Sequence, residues 1–187
     1  RAPSLRLPTW LEQYPLSEPA WVNWLSRQLP ANARLFLGNS LPIREWDLAA
    51  SREVRAEIFV NRGVNGIDGL VSTFLGVAAK GASNWALLGD LSALYDLSGP
   101  WVARGLGIDD LNLVILNNGG GKIFKNIFHQ PLFENQHTID FSAWAKMWNW
   151  DYKRLEAPRT LARAQRPRVI EIVPSEQQSQ AFWEAYT

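Results

Sequence analysis

With 187 residues, 47% of them hydrophobic and 20% charged, the chain can bury the core of one domain and is excluded from the disordered class. Lys and Arg number 19 against 18 Asp and Glu, a formal charge of +1, so no field of one sign draws the chain to nucleic acid or to an anionic membrane. The absence of cysteine excludes disulfides, thiolate metal sites and a cysteine nucleophile, and fits a reducing cytoplasm.

The chain opens Arg1-Ala2-Pro3, with no initiator Met and no signal-peptide pattern. No apolar run approaches the ~18 residues of a membrane span. Residues 1–17, with Pro3, Pro8 and Pro15 and no clear periodicity, read as an incoming linker, and residues 18–187 as one domain. Ser17 reads as an N-cap with Glu18 and Pro19 in the first turn, which predicts a helix over Ala20 to Leu29. Beyond Pro30, apolar runs suited to buried strands cover Arg34–Leu37, Glu57–Val60, Trp85–Leu88, Leu111–Leu116, Trp150–Leu155 and Val169–Val173. Helical stretches lie between or after them, at about 42–50, 66–80, 92–104, 140–148, 158–165 and 175–186. Strands alternating with helices imply βαβ units. The run Leu113-Val114-Ile115-Leu116 lacks period-two alternation, as a strand covered on both faces should. The expected fold is α/β: a doubly wound, mostly parallel six-stranded sheet with helices on both faces. The 10 Trp residues invite a reading as a carbohydrate-binding or docking surface. However, Trp10, Trp21, Trp24, Trp85, Trp101, Trp144, Trp148 and Trp150 mostly fall in apolar-periodic segments, and read as core.

In open parallel sheets, ligands bind beyond the carboxyl ends of the strands, where the strand order reverses. The residues that follow the strands are therefore the ones to read: Gly38-Asn39-Ser40, Asn61-Arg62-Gly63, Gly89-Asp90-Leu91-Ser92 and Asn117-Asn118-Gly119-Gly120-Gly121. The sharpest pair is Gly89-Asp90 with Asn117-Asn118. A carboxylate ends one strand and a carboxamide ends the next, one crossover apart, so their oxygens can converge. One carboxylate, one amide oxygen and one backbone carbonyl suit a hard cation such as Mg²⁺, with phosphate and water completing an octahedron. A helix starting near Ser92 would turn its free N–H groups to the same place, which favours a diphosphate. Either half alone is also an ordinary turn. Gly119-Gly120-Gly121-Lys122 lacks P-loop spacing, since Ile123 follows the lysine. His129 and His137 alone do not make a zinc site.

Gly-Asp followed one crossover later by Asn-Asn resembles the signature of thiamine diphosphate (ThDP) enzymes, in their diphosphate-binding (PP) domain. The more detailed resemblance is to the 2-succinyl-5-enolpyruvyl-6-hydroxy-3-cyclohexene-1-carboxylate synthases of menaquinone biosynthesis. It is carried by Gly38-Asn39-Ser40-Leu41-Pro42-Ile43-Arg44, by Asn61-Arg62-Gly63-Val64-Asn65-Gly66-Ile67-Asp68-Gly69, by Gly89-Asp90-Leu91-Ser92 and by Leu116-Asn117-Asn118-Gly119-Gly120-Gly121-Lys122-Ile123-Phe124. Two departures are visible: Leu91 stands where Gly or Ala is usual, and the spacing is one residue longer. By alignment Asp90, Asn118 and the Gly120 carbonyl hold the Mg²⁺ (or Mn²⁺), with Asn117 and Gly119 as the alternative one residue off.

The resemblance implies a transferase in which ThDP takes up 2-oxoglutarate, CO₂ leaves, and the succinyl unit joins isochorismate. Both substrates are anionic, and Arg44 and Arg62, which follow successive strands, resemble the residues that grip their carboxylates. Without the resemblance, each would read as a surface arginine near Glu45 or Asp47. Ile67 resembles the wedge under the bent cofactor. Gly63, Gly66 and Gly69 either let backbone approach the cofactor or permit tight turns. Ile123 and Phe124 either wall the reacting carbon or are core. Asn39 and Ser40 would donate to diphosphate or substrate, and Gly89, Ser92 and the Leu91 backbone would cradle the diphosphate. In such enzymes the Glu that acts on the aminopyrimidine lies in the pyrimidine-binding domain of another subunit of a homodimer or homotetramer. The chain is therefore expected to be a fragment of a longer enzyme, cytoplasmic and inactive alone.

Overall fold

The computed structural model describes residues 6–125 and 130–186. Its strands are β1 (Ala33–Leu37), β2 (Glu57–Val60), β3 (Ser83–Gly89), β4 (Leu111–Leu116), β5 (Asp151–Leu155) and β6 (Arg168–Ile172). They pair in parallel in the order β2-β1-β3-β4-β6-β5. This is the expected α/β class.

Period-two alternation deals the strand side chains to two layers. Phe36, Ala86, Leu88, Leu113, Ile115 and Val169 face one layer, filled by Leu70, Val71, Phe74 and Leu75 of α4 (Leu70–Val77) and by Phe141 and Trp144 of α7 (Phe141–Met147). Leu35, Leu37, Trp85, Leu87, Val114, Leu116, Ile170 and Ile172 face the other. There they meet Trp21, Val22 and Leu25 of α2 (Glu18–Ser26) and Trp46 of α3 (Leu41–Ala49). Because both faces are covered, β3 from Trp85 to Leu88 and β4 from Leu113 to Leu116 are unbroken apolar runs. From β1 the chain steps to β2 on one side, and from β3 it steps to β4 on the other. The order thus reverses between β1 and β3, whose carboxyl ends open a crevice. Gly38 lets β1 leave close beside β3: its N–H donates to the Leu87 carbonyl at 2.8 Å. A Cβ there would lie 2.7 Å from Leu88 Cδ2, so a larger residue would push the strands apart.

Four local expectations change. The segment read as linker forms α1 (Leu7–Gln13), with Pro8 in the first turn where its missing N–H costs nothing. Trp10 is buried edge-on against Phe182 and Tyr186 of α8 (Glu176–Tyr186). The helix expected over 66–80 is confined to α4, because Gly69 starts it in the left-handed region and Ala78 leaves it extended. The helix expected over 92–104 is three pieces: α5 (Asp90–Leu94), a 3-10 turn (Gly99–Val102) and α6 (Ala103–Leu106). Gly99-Pro100 breaks it, since Pro100 cannot donate to the preceding turn. The helix expected over 158–165 does not form. Pro158 and Pro167 bracket that segment, and tertiary contacts hold it: the Leu161 N–H donates to Gln28 Oε1 at 3.3 Å, and Arg163 pairs with Asp110 at 3.2 Å.

Of the tryptophans, Trp10, Trp21, Trp46, Trp85, Trp144 and Trp150 are buried, as a core reading requires. Trp101 is the departure, 61% exposed with Arg104 stacked over its ring. Among the described residues no helix is long and apolar enough to cross a membrane.

Candidate functional site

A cleft of about 620 Å³, within the usual range for cofactor sites, opens at the carboxyl ends of β1, β3 and β4. It is lined by Asn39, Ser40, Arg44, Arg62, Gly66, Ile67, Gly89, Asp90, Leu91, Ser92, Asn118, Gly120, Ile123 and Phe124 among others. The residues given a site role in the sequence are therefore brought together, apart from Gly63 and Gly69, and of the two alternative pairs Asn118 and Gly120 line the cleft whereas Asn117 and Gly119 do not; Gly63 is exposed. His129 lies outside the described residues.

Asp90 follows β3 and is 2% exposed. Its Oδ1 accepts the Leu91 N–H at 2.7 Å, and its Oδ2 accepts the N–H groups of Gly119 and Gly120, each at 2.9 Å. His137 Nε2 lies 3.2 Å from the same Oδ2. Burial raises the Asp90 pKa above the ordinary aspartate value, against the pull of these donors and of His137. The loop after β4 thus wraps the carboxylate, with Gly119 at φ +80° and Gly120 at φ +144°. A Cβ on Gly120 would stand 2.4 Å from the Glu134 carbonyl oxygen, so the loop admits only glycine there.

The neighbouring amides differ. Asn117 is used at both ends: its Nδ2 donates to Glu171 Oε1 at 2.6 Å, and its Oδ1 accepts the Gly119 N–H at 3.2 Å. Glu171 in turn accepts the Tyr152 hydroxyl, which ties this amide to β5 and β6. Asn118 donates from Nδ2 to Glu18 Oε2 at 3.1 Å, while its Oδ1 is buried without a partner among the described residues. A buried amide oxygen left unsatisfied costs about 1–3 kcal/mol unless a ligand takes it.

Asn39 is 1% exposed and acts on the neighbouring loop. Its Nδ2 donates to the carbonyls of Val64 at 3.1 Å and Gly66 at 2.7 Å, and its Oδ1 accepts from Arg62 Nη1 at 3.3 Å. Both amide hydrogens expected to reach a ligand are spent here on holding that loop. Ser40 is a non-glycine residue at φ 74°, ψ −132°, a conformation costing about 1–3 kcal/mol, and its carbonyl accepts from Arg44 Nη1 at 2.6 Å. The Leu91 N–H, expected to face a diphosphate, is taken by Asp90. On the far wall, Lys122 pairs with Glu134 at 3.0 Å and Glu176 at 3.4 Å. Although burial opposes its charge, those carboxylates hold Lys122 above its ordinary value.

Sequence reasoning missed Glu18 and Glu45. Glu18 read only as a first-turn acid, yet it is 6% exposed and lines the cleft beside Asn118. Glu45 is 0% exposed on α3, and among the described residues its carboxyl oxygens find no donor except a proton shared with Glu18. Burial drives both carboxyls up, Glu18 to about 7, and the two titrate as a pair. The only available signal was the acidic Glu45 at a position where the period of α3 calls for an apolar residue.

Comparison with known proteins gives the following. No protein-family model matches the chain. A 2-succinyl-5-enolpyruvyl-6-hydroxy-3-cyclohexene-1-carboxylate synthase of Bdellovibrio bacteriovorus is 44% identical over 181 residues, 94% of this chain and 34% of that protein. The synthase of the same name from Desulfitobacterium hafniense is 40% identical over 144 residues, 73% of this chain and 26% of that one. That of Akkermansia muciniphila is 33% identical over 184 residues, covering 89% and 34%. The chain spans about a third of the length of the curated relatives it matches.

Proposed function

We propose, because this chain belongs with the 2-succinyl-5-enolpyruvyl-6-hydroxy-3-cyclohexene-1-carboxylate synthases over the third of their length that it spans, that it supplies the diphosphate- and metal-binding half of a ThDP-dependent active site. The carrying observation is the orphaned Asn118 Oδ1, buried in the same cleft as the Asp90 carboxylate and the Gly120 backbone. One carboxylate, one amide oxygen and one carbonyl form the donor set of a hard divalent cation, Mg²⁺ or Mn²⁺. Asn117, committed at both ends, is poorly suited to that role, which favours Asn118 and Gly120 over Asn117 and Gly119.

When bound, ThDP would supply a carbanion that adds to a keto carbon and a cationic ring that takes up the electron pair left as CO₂ departs. The chain's own residues do the rest. Asp90 and Asn118 anchor the cation and so fix the diphosphate. Gly89 and Ser92 border the diphosphate end, and Ile67 and Gly66 support the middle of the cofactor from the loop held by Asn39. Arg44 and Arg62, exposed at the cleft mouth, neutralise the carboxylates of 2-oxoglutarate and isochorismate. Ile123 and Phe124 present an apolar wall, which favours loss of CO₂ because the leaving carboxylate is better solvated before the step than after it. The aminopyrimidine end is left to the pyrimidine-binding domain of another subunit, so the chain alone is catalytically silent.

The test is turnover. The intact protein, given ThDP, Mg²⁺, 2-oxoglutarate and isochorismate, should release CO₂ and form the succinylated cyclohexene acid, while the 187-residue chain alone should do neither. CO₂ release with isochorismate left unconsumed would point to a different acceptor.

A further inference from the structure

Helix α2 delivers a carboxyl group to the cleft floor from an element outside the strand-end loops. The Ser17 hydroxyl accepts the Ala20 N–H at 3.3 Å, and Glu18, next in line, donates its own N–H to Ser179 Oγ at 3.1 Å. Leu16 is bonded to the start of α8 at both of its backbone groups, through Gln178 Oε1 and the Ser175 N–H, each at 2.8 Å. The Glu18 backbone is therefore fixed from both sides. Its side chain lies between Glu45, fully buried behind it, and the Asn118 amide, 3.1 Å in front.

A carboxamide can present either its oxygen or its N–H₂ after a half-turn about χ2, and the two are nearly the same shape. With the proton of the Glu18–Glu45 pair held between those two carboxyls, the Glu18 oxygen facing Asn118 removes that freedom, because it can only accept and so takes the N–H₂ and gains nothing from a carbonyl. We propose that Glu18, backed by Glu45, is a positioning residue that locks the Asn118 amide with its oxygen free for the divalent cation. This rests on the reading of Asp90, Asn118 and Gly120 as the cation site. Glu18 itself need not touch the metal; it acts through Asn118, as outer partners of metal ligands do.

The experiment measures Mn²⁺ affinity by electron paramagnetic resonance in the intact protein, with ThDP present, so the readout is binding and not turnover. Glu18→Ala should weaken Mn²⁺ by about 10–100-fold, the usual effect of removing an outer partner. Glu18→Gln, whose carbonyl can still accept from Asn118, should lie within about threefold of wild type. The deciding comparison repeats Glu18→Ala in an Asn118→Asp background, where both ends of the ligand are oxygen and orientation is immaterial; there the loss should vanish. An equal loss in both backgrounds, or none in either, overturns the proposal. Should Glu18→Ala not fold, Glu18→Gln against Glu18→Leu carries the same comparison. A wild type that binds no ThDP-dependent Mn²⁺ refutes the cation site itself. Wild-type binding lost in Asp90→Ala but unaltered in Glu18→Ala refutes only the role of Glu18.

Discussion

Gly120→Ala probes whether the loop after β4 is as tightly built as described. At φ +144° an alanine carries backbone strain of about 1–3 kcal/mol. Its Cβ would also stand 2.4 Å from the Glu134 carbonyl oxygen and 3.3 Å from Gln136 Cα. Those are main-chain atoms, and the Glu134 oxygen is already held by the Gly121 N–H, so no side chain can swing away. Overpacking of this kind adds about 1–3 kcal/mol. The expected loss is about 3–4 kcal/mol in urea unfolding followed by tryptophan fluorescence, or a melting temperature lower by about 10 °C. The loop should shift to relieve the clash, and the Gly120 N–H that reaches Asp90 should move with it, so cation binding falls as well. Gly63→Ala is the control: its Cβ would meet nothing within 4 Å, and the change should stay within about 0.5 kcal/mol. A Gly120→Ala protein within 1 kcal/mol or so of wild type, with its cation affinity intact, would refute the packing of this loop against residues 134–136.

The Glu18–Glu45 pair sets a pH dependence for the protein free of metal. The Glu18 carboxyl is raised from 4.5 to about 7, so the folded state holds a proton that the unfolded chain has released between those values. Stability should therefore be fullest below pH 4.5 as far as this group is concerned, and decline by about 3 kcal/mol as pH rises through 7. Urea midpoints between pH 5 and 8 measure this, and Glu18→Gln should flatten the profile; a profile equally steep in that variant would assign the effect elsewhere. Ser40→Gly should relieve the backbone at φ 74° and raise stability by about 1 kcal/mol while weakening ligand binding, and unchanged or lower stability would remove the claim of strain. Replacing Arg44 or Arg62 by alanine should raise the KM for 2-oxoglutarate about 10–100-fold, the value of one charge-assisted hydrogen bond, and an unchanged KM for both would reassign the substrate. Trp10→Ala should cost about 3–5 kcal/mol through its lost packing on α8, and a neutral result would return residues 7–13 to the linker reading.

Much of the fold was legible because the inner strands β1, β3, β4 and β6 are buried on both faces. The runs Leu111–Leu116 and Glu57–Val60 have the bounds that the sequence suggests, the first fully buried and the second on the exposed edge of the sheet. The misplaced helices are those where a distant contact decides. Trp10 looks isolated among prolines until Phe182 arrives from the other end of the chain. Residues 158–165 have helical composition but are held straight by Gln28 and Asp110. The grouping of Asp90, Asn118 and the two arginines followed from strand-end positions, because a parallel sheet gathers its carboxyl ends at one edge. Glu18 and Glu45 were not legible for the converse reason: they reach the cleft from helices, and a carboxyl on a helix ordinarily faces water. The distinction between Asn117 and Asn118 required Glu171, which lies on β6 and has no sequence relation to the loop.

The most direct measurement is a calorimetric titration of the intact protein with ThDP, with and without Mg²⁺, in the wild type and in Asp90→Ala. The account predicts binding that depends on Mg²⁺ in the wild type and is lost in Asp90→Ala. No binding, or binding indifferent both to Mg²⁺ and to Asp90, would contradict it.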